Sequence, residues 1–392
     1  MPRKPRKKIR DIAKSVLPEK NAPHVAGGVS VFVASALALQ IILLLLHFMI
    51  YETIAAAFGI GGFVLALIFG LLSLTFISAS LLSAVAGNAA VRTYYRFSAV
   101  WFAFVAPLCG ACAGFVVVEN LLPRWGLIFT PFVAGVICFG AAVAASVYGI
   151  WNSGHIRVTR TTVSLPNVPA AWRGKRIAFF ADTHLGNVRG SGFVKKIVKK
   201  VRTLDASAVA IGGDMFDGVK CNAEKLIAPF RDLHLAHGIY FVSGNHEYIR
   251  DTDVFLGAIR NVGIRILRNE KVTIDGMDLV GVDWCDTDKH DAFAAVLKNI
   301  GITKERPSIL LRHVPDNLGV PERAGISLQL SGHTHQGQFW PLSLVTHYFY
   351  QGFDYGFHYF KKMAVYTTSG IGTWMSPFRF GTKAEIVLIE FK

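Results

Sequence analysis

Four long apolar runs lie ahead of residue 151, at about 29–50, 61–82, 97–118 and 127–150. Each reaches the roughly 20 residues that an α-helix needs to cross the hydrocarbon of a bilayer. Inside a bilayer every backbone N–H and C=O must be satisfied within the segment, so such runs fold as helices. The chain is therefore expected to place a basic tail at 1–28 ahead of an all-α four-helix transmembrane domain at 29–150. The first run is too long for the apolar core of a signal peptide, lacks a clear small-residue cleavage site, and is followed by three more. Hydrophobic residues make up 52% of the chain, and the excess over a soluble composition sits in this part.

Lys and Arg set the expected topology. Residues 1–20 hold eight of them (Arg3, Lys4, Arg6, Lys7, Lys8, Arg10, Lys14, Lys20) against Asp11 and Glu19. The 88–97 connection carries Arg92 and Arg96, and Arg157 and Arg160 follow the last run, whereas the other two connections hold Glu52, and Glu119 with Arg124. The positive-inside rule then puts both termini and everything after residue 150 in the cytoplasm of an integral, multi-pass inner or plasma membrane protein. The tail can also bind anionic lipid headgroups, at about 1 kcal/mol per nearby basic residue. The formal net charge is +15, but no nucleic-acid motif accompanies it, so membrane lipids rather than nucleic acid are the expected partner. Gly110 with Gly114, and Gly140 with Ala144, read as close helix packing. The runs hold few ionisable groups, His47 among them, so the bundle reads as an anchor or lipid-facing platform and not a transporter. Five Cys give no disulfide framework, and Cys109-Gly110-Ala111-Cys112 lies in an apolar run without redox context.

Residues 151–175 read as a linker and first strand, with Pro166 and Pro169 as breakers. From 176 to 392 the pattern changes to short strands that end in polar blocks. The apolar runs 177–180, 208–211, 239–242, 309–311 and 326–330 read as strands. The blocks after them are Asp182-Thr183-His184, Gly213-Asp214-Met215-Phe216-Asp217, Gly244-Asn245-His246-Glu247, Arg312-His313 and Gly332-His333-Thr334-His335. Side chains at strand ends converge at one sheet edge, where open α/β sheets place their sites. The donors are carboxylates, imidazoles and a carboxamide. They suit Mn, Fe, Zn or Ni, and the lack of Cys argues against a structural zinc site. There are too many for one ion and about enough for two that share a carboxylate.

In order and spacing these blocks resemble the calcineurin-like metallophosphoesterases, over roughly 177–392. Gly332-His333-Thr334-His335-Gln336-Gly337-Gln338, with Ile371-Gly372, Arg379-Phe380-Gly381 and Ala384-Glu385-Ile386, is similar to a membrane-associated bacterial branch that includes UDP-2,3-diacylglucosamine hydrolases. The resemblance implies a four-layer α/β sandwich with mixed sheets. It implies one metal on Asp182, His184 and His335, a second on Asn245, His313 and His333, and Asp214 bridging both. His246 would be the non-metal catalytic His, stabilising phosphoryl oxygens or protonating the leaving group, and Asp217 would orient it. Two cations beside a phosphate neutralise charge that grows in the transition state, and they lower the pKa of a bridging water from ~15.7 towards ~7. Arg312, Gln336 and Ser369 depart from the branch pattern, which bears on substrate recognition.

Isolated His155, His234, His237, His290, His347 and His358 read as surface or satisfied core residues. Residues 193–204 form an amphipathic helix with Lys195, Lys196, Lys199, Lys200 and Arg202 on its polar face, either solvated or resting on headgroups. Residues 263–283 alternate like a hairpin with Asp275-Gly276 as its turn. The acidic Asp283-Trp284-Cys285-Asp286-Thr287-Asp288 run reads as a loop near the site. Residues 339–360 are unusually aromatic and directly follow His335; they either pack as core or form a flap that takes an acyl chain or dips into the interface.

The expected function is a membrane-anchored hydrolase with two divalent metals, Mn foremost. It cleaves a phosphodiester or pyrophosphate bond of a lipid-linked or nucleotide substrate, of which UDP-2,3-diacylglucosamine is the specific case. The alternatives are a soluble-nucleotide phosphodiesterase and a non-catalytic membrane sensor or scaffold.

Overall fold

The computed structural model describes residues 29–392, with side chains from residue 33 onward; the basic tail read at 1–28 lies outside the described residues. The described chain divides into a helical unit that runs to Asn152 and an α/β unit that starts at Ser153, with Met375–Phe378 grouped with the first.

The helical unit contains α1 (Val29–Phe58), α2 (Phe63–Val85), α3 (Ala89–Asn120) and α4 (Pro131–Ser153). All four are long and apolar enough to cross a membrane. They extend past the apolar runs. The third starts at Ala89, because the Asn88 side chain caps it by accepting from Val91 N–H at 3.0 Å, so Arg92 and Arg96 occupy its first turns and not a loop. Large apolar side chains such as Leu37, Phe48, Phe63 and Ile137 point outward, as expected of lipid-facing helices. Inside, Ile50, Phe69, Phe115 and Phe139 pack with Ala111, Ala134 and Ala142. Small residues set the closest approaches between helices, at two places. A Cβ on Gly135 would lie 2.7 Å from the Ala57 Cβ, and one on Gly114 would lie 3.4 Å from Cys138 Sγ. Gly110 and Gly140, expected at such seams, have open space beside them. His47 is buried but satisfied: Nδ1 donates to Leu43 O at 2.7 Å and Nε2 accepts from Trp101 Nε1 at 2.9 Å.

The α/β unit is built on two mixed six-stranded sheets. The first has the order β1-β12-β2-β3-β4-β5, with β1 Ile156–Val163, β2 Arg176–Phe180, β3 Ala208–Ile211, β4 Ile239–Phe241, β5 Arg265–Ile266 and β12 Ala384–Phe391. The second has the order β10-β11-β9-β8-β7-β6, with β6 Glu270–Ile274, β7 Met277–Gly281, β8 Ser308–Leu311, β9 Leu328–Ser331, β10 Gly356–Phe360 and β11 Met363–Thr367. The 263–283 region forms the β6–β7 hairpin, and Asp275 and Gly276 both have positive φ in its turn.

Strand parity explains the layers. Along β2, Ile177 and Phe179 face the second sheet, where Leu279, Ile309, Leu311, Leu328 and Leu330 meet them. Ala178 and Phe180 face the other way, onto Phe193, Ile197 and Val201 of the helix Ser191–Val201 and onto Phe255 and Ile259. The outer face of the second sheet (Val280, Leu310, Val365) packs on Phe293 and Leu297 of the helix His290–Ile300. Both faces of each sheet are therefore buried, which accounts for continuous apolar runs instead of alternating ones. The result is the four-layer sandwich, helix–sheet–sheet–helix. On the helix Ser191–Val201, Phe193, Val194, Ile197, Val198 and Val201 are buried, while Lys195, Lys196 and Lys199 are exposed.

Phe179 is fully buried between the sheets. Phe179→Ala leaves a cavity there and is expected to cost about 3–5 kcal/mol. Thermal unfolding of detergent-purified protein, followed by near-UV circular dichroism, checks this; an unchanged midpoint would contradict the packing described.

Candidate metal centre

The parallel strands β2, β3, β4, β8 and β9 all end at one edge, and the residues just beyond each end carry the polar blocks. Backbone bonds tie these loops together before any side chain is considered. Asp182 N–H donates to Gly213 O at 3.0 Å, His184 N–H to Asp214 O at 3.1 Å, and Gly332 N–H to His313 O at 2.9 Å. Gly213 has φ +96, and a Cβ there would sit 2.7 Å from His313 Nδ1 and 2.8 Å from Gly244 N, so only glycine lets three loops meet.

Glu247 fastens two of the loops. Its buried carboxylate accepts four backbone N–H groups: Asp214 at 2.9 Å, Met215 at 2.8 Å, Phe216 at 3.2 Å and Gly244 at 2.8 Å. The sequence reading gave this residue no role beyond its place in the block. A Glu two residues after the Asn is the signal that could have flagged it. Burial and the nearby Asp214 charge push its carboxyl up to about 7.

The candidate ligands gather in two neighbouring groups, and a third cluster, His184 with Asp217 and His246, overlaps the first. Ligand atoms of Asp182, His184 and His335 lie within 4.8 Å of one another, as do those of Asp214, His313 and His333. Asp214 faces both groups: its Oδ2 is 3.2 Å from His313 Nε2 and 3.8 Å from His184 Nε2. Asn245 Oδ1 lies 3.1 Å from His313 Nε2 and 3.0 Å from His333 Nδ1, so the carboxamide joins the second group.

Tautomers follow from the outer partners. His313 Nδ1 donates to Gly212 O at 2.7 Å, which aims Nε2 at Asp214 and Asn245, where its lone pair is freed once a cation takes the place of the ring proton. His184 Nδ1 donates to Asp217 Oδ1 at 3.1 Å, which leaves its Nε2 lone pair facing His335 Nε2 at 3.0 Å. Lone pairs on nitrogen and carboxylate converging at such distances from oriented rings fit divalent cations.

Asp217 thus sits between two rings, closer to His184 (3.1 Å) than to His246 Nδ1 (3.8 Å). His246 is held by its backbone, since its N–H donates to Asp214 Oδ1 at 2.9 Å. Its ring lies edge-on to His184 with centroids 4.6 Å apart, and its Nδ1 is buried without a hydrogen-bond partner.

The protonation pattern reflects this crowding. Burial raises the Asp182 carboxyl to about 6, helped by the Asp214 charge. Burial also works against ionised Asp214, but His313 and the other imidazoles outweigh it and hold Asp214 well below the usual carboxylate range. For His313, burial is outweighed by Asp214, and its imidazole is raised to about 9. Burial and the His313 charge lower His333 to about 3, and burial lowers His246 and His335. A bound cation would replace the imidazolium charge opposite these carboxylates.

Two of the departures noted in the sequence prove to be structural. Arg312 is buried; its guanidinium bonds to Val314 O, Asp316 and Thr287 O and stacks 4.5 Å over the Phe293 ring, so it clamps loops and contacts no ligand group. Gln336 adopts φ +53, the left-handed conformation that explains why glycine is usual there. Asp283, read as a loop carboxylate, is also a strut. It accepts from Tyr248 OH at 2.6 Å and from Arg268 Nε at 2.7 Å. Arg379 is fully buried and donates to Ser369 O, Gly370 O and Gly372 O, and the N–H of Gly372 in turn binds Asp182 O at 2.8 Å.

Comparison with known proteins agrees with this geometry. Residues 175–337 match the family described as Calcineurin-like phosphoesterase. The chain is 32% identical over 222 residues to an uncharacterized metallophosphoesterase of Helicobacter pylori, covering 55% of this chain and 59% of that one. It is 29% identical to a transmembrane protein with metallophosphoesterase domain from Danio rerio, covering 63% and 60%, and 30% identical to one from Bos taurus, covering 62% and 58%. The chain thus spans about three fifths of the length of these relatives. The candidate Asp and His ligands at the strand ends therefore lie within a calcineurin-like metallophosphoesterase domain, carried on a chain with four membrane-length helices.

Proposed function

We propose that the chain is a membrane-anchored, dinuclear metal-dependent phosphoesterase, facing the cytoplasm of a bacterial inner membrane. Its substrate is a phosphodiester or pyrophosphate of a lipid-linked or nucleotide compound, with UDP-2,3-diacylglucosamine as the specific case. The observation that carries the reading is the single Asp214 carboxylate oxygen facing both ligand groups, 3.2 Å from His313 Nε2 and 3.8 Å from His184 Nε2.

In this reading Asp182, His184 and His335 hold one divalent cation, Asn245, His313 and His333 hold the other, and Asp214 is shared. Once bound, such a pair supplies charge neutralisation at the phosphoryl group and water acidified to near neutral pH. The remaining work falls to the chain. His246, unpaired at Nδ1, faces the group and would stabilise phosphoryl oxygens by donating a hydrogen bond or protonate the leaving oxygen; burial favours its neutral form, which suits the first role. Asp217 holds the His184 tautomer and stands within reach of His246. Glu247 and Arg379 keep the ligand loops in register without touching substrate. The mixed carboxylate, carboxamide and imidazole set admits Mn, the ion expected foremost, and is equally compatible with Fe, Zn and Ni.

The test is Mn-dependent hydrolysis of bis(p-nitrophenyl) phosphate by detergent-purified protein beside Asn245→Ala. Activity is expected to fall by about 100-fold or more, with metal content dropping towards one ion per chain. Full metal loading with no turnover in the wild type leaves strict lipid specificity or a sensor, and the same preparation failing on lipid-linked phosphoesters as well would sink the enzyme reading. His246→Gln separates the roles: kcat should fall by about 10²–10⁴ while metal content stays at the wild-type level. Loss of metal in that variant would place His246 among the ligands instead.

A further inference from the structure

The helix Leu342–Phe349, entered from the metal-ligand turn through Trp340 and Pro341, is inside out. In a water-soluble domain an amphipathic helix buries its apolar stripe and exposes its polar one. Here Ser343 and Thr346 are half-buried against the domain, while Leu342, Leu344, Val345, Tyr348 and Phe349 are exposed. Tyr348 is 82% exposed and Phe349 72%. Trp340, at 60%, and Tyr359, on the adjoining β10, are exposed as well. The aromatic stretch therefore divides in two. Phe353 and Phe360 pack on the outer core of the second sheet, and the helix does not.

Charge narrows what can cover this face. Across 339–362 the single carboxylate is Asp354, which is buried, while Lys361 and Lys362 at the far end are exposed. Trp and Tyr among Leu, Val and Phe, flanked by lysine and free of exposed acid, is the composition of segments that settle at a lipid headgroup boundary. A bilayer is the partner at hand for a chain with four membrane-length helices. The helix is also hitched to the site. Thr334, between His333 and His335, donates to Asp354 O at 2.6 Å, and Asp354 Oδ1 accepts from His347 Nδ1 of the helix at 2.9 Å. Tyr350, directly after the helix, stands with its ring 6.3 Å from that of His333.

We propose that this helix, with Trp340 and Tyr359, is a membrane-docking lip that rests its apolar face in the lipid interface beside the metal centre, so that phosphoesters lying at that interface are the ones presented to it. The proposal rests on the membrane-anchored reading above, and its test reads lipid contact without requiring turnover. Full-length protein carrying Phe349→p-benzoylphenylalanine, and separately Tyr348→p-benzoylphenylalanine, is placed in nanodiscs of dioleoylphosphatidylcholine and dioleoylphosphatidylglycerol and irradiated. Adducts are identified by intact mass. The control is Val254→p-benzoylphenylalanine, an apolar side chain of the same unit that is 59% exposed but stands outside the aromatic stretch. Phospholipid adducts at 348 or 349 are expected at about tenfold the control yield, since burial of such side chains in the interface is strongly favoured. Yields no higher than the control at both positions overturn the proposal. So do adducts to a second copy of the chain in place of lipid, which would make the face a protein interface. Either result leaves the hydrolase reading standing, because bis(p-nitrophenyl) phosphate turnover is measured separately.

Discussion

One carboxylate holds the catalytic edge of this fold together. Glu247 accepts four backbone N–H groups from two loops, and those loops supply Asp214, Asn245 and His246. Loop backbone at a sheet edge has orphan donors that would otherwise need water, and water in this space would separate the ligands. The buried anion satisfies the donors and sets the spacing of the loops in one stroke. Asp214, Asn245 and the His246 backbone inherit their positions from it, while His313 and His333 come from the ends of β8 and β9. Arg379 performs the converse service on the opposite side, where a buried cation gathers three carbonyl groups behind Asp182.

Much of this was legible in the chain because the physics is local. Helices that must satisfy their own backbone in lipid announce themselves by length and apolarity, and strands buried on both faces announce themselves as short apolar runs. The ligand blocks were legible because they follow those runs at once. What the sequence concealed were contacts made at long range. Arg312 reads as a polar neighbour of a ligand, yet its side chain spans to Thr287 and Phe293. Asp283 reads as a loop acid until Arg268 and Tyr248 close on it. Arg92 and Arg96 read as loop residues because charge hides the helical continuation that Asn88 begins. The aromatic stretch admitted two readings; the fold turns Phe353 and Phe360 inward and leaves Tyr348 and Phe349 exposed, a division that composition does not encode.

The helical unit shows the same limit on a smaller scale. The spacing of Gly110 and Gly114 suggests a packed seam, but only Gly114 has a neighbour at contact distance, and the tightest approach between two helices is made by Gly135 against Ala57. A small-residue motif shows where close approach is sterically permitted; the rotation of each helix decides where it happens.

The backbone at the ligands has a further consequence. Asp182, His184, Asp214, His333 and His335 all have φ between +47 and +71. Left-handed backbone costs an L-residue with a side chain about 1–2 kcal/mol. Replacing any of the five with glycine would relax the chain and delete a donor. Mutation under no demand for chemistry would therefore tend to drift towards the relaxed, empty site, because stability and donor content pull in opposite directions there. At these five positions a side chain that can donate electrons to a cation stands where glycine would sit with less strain.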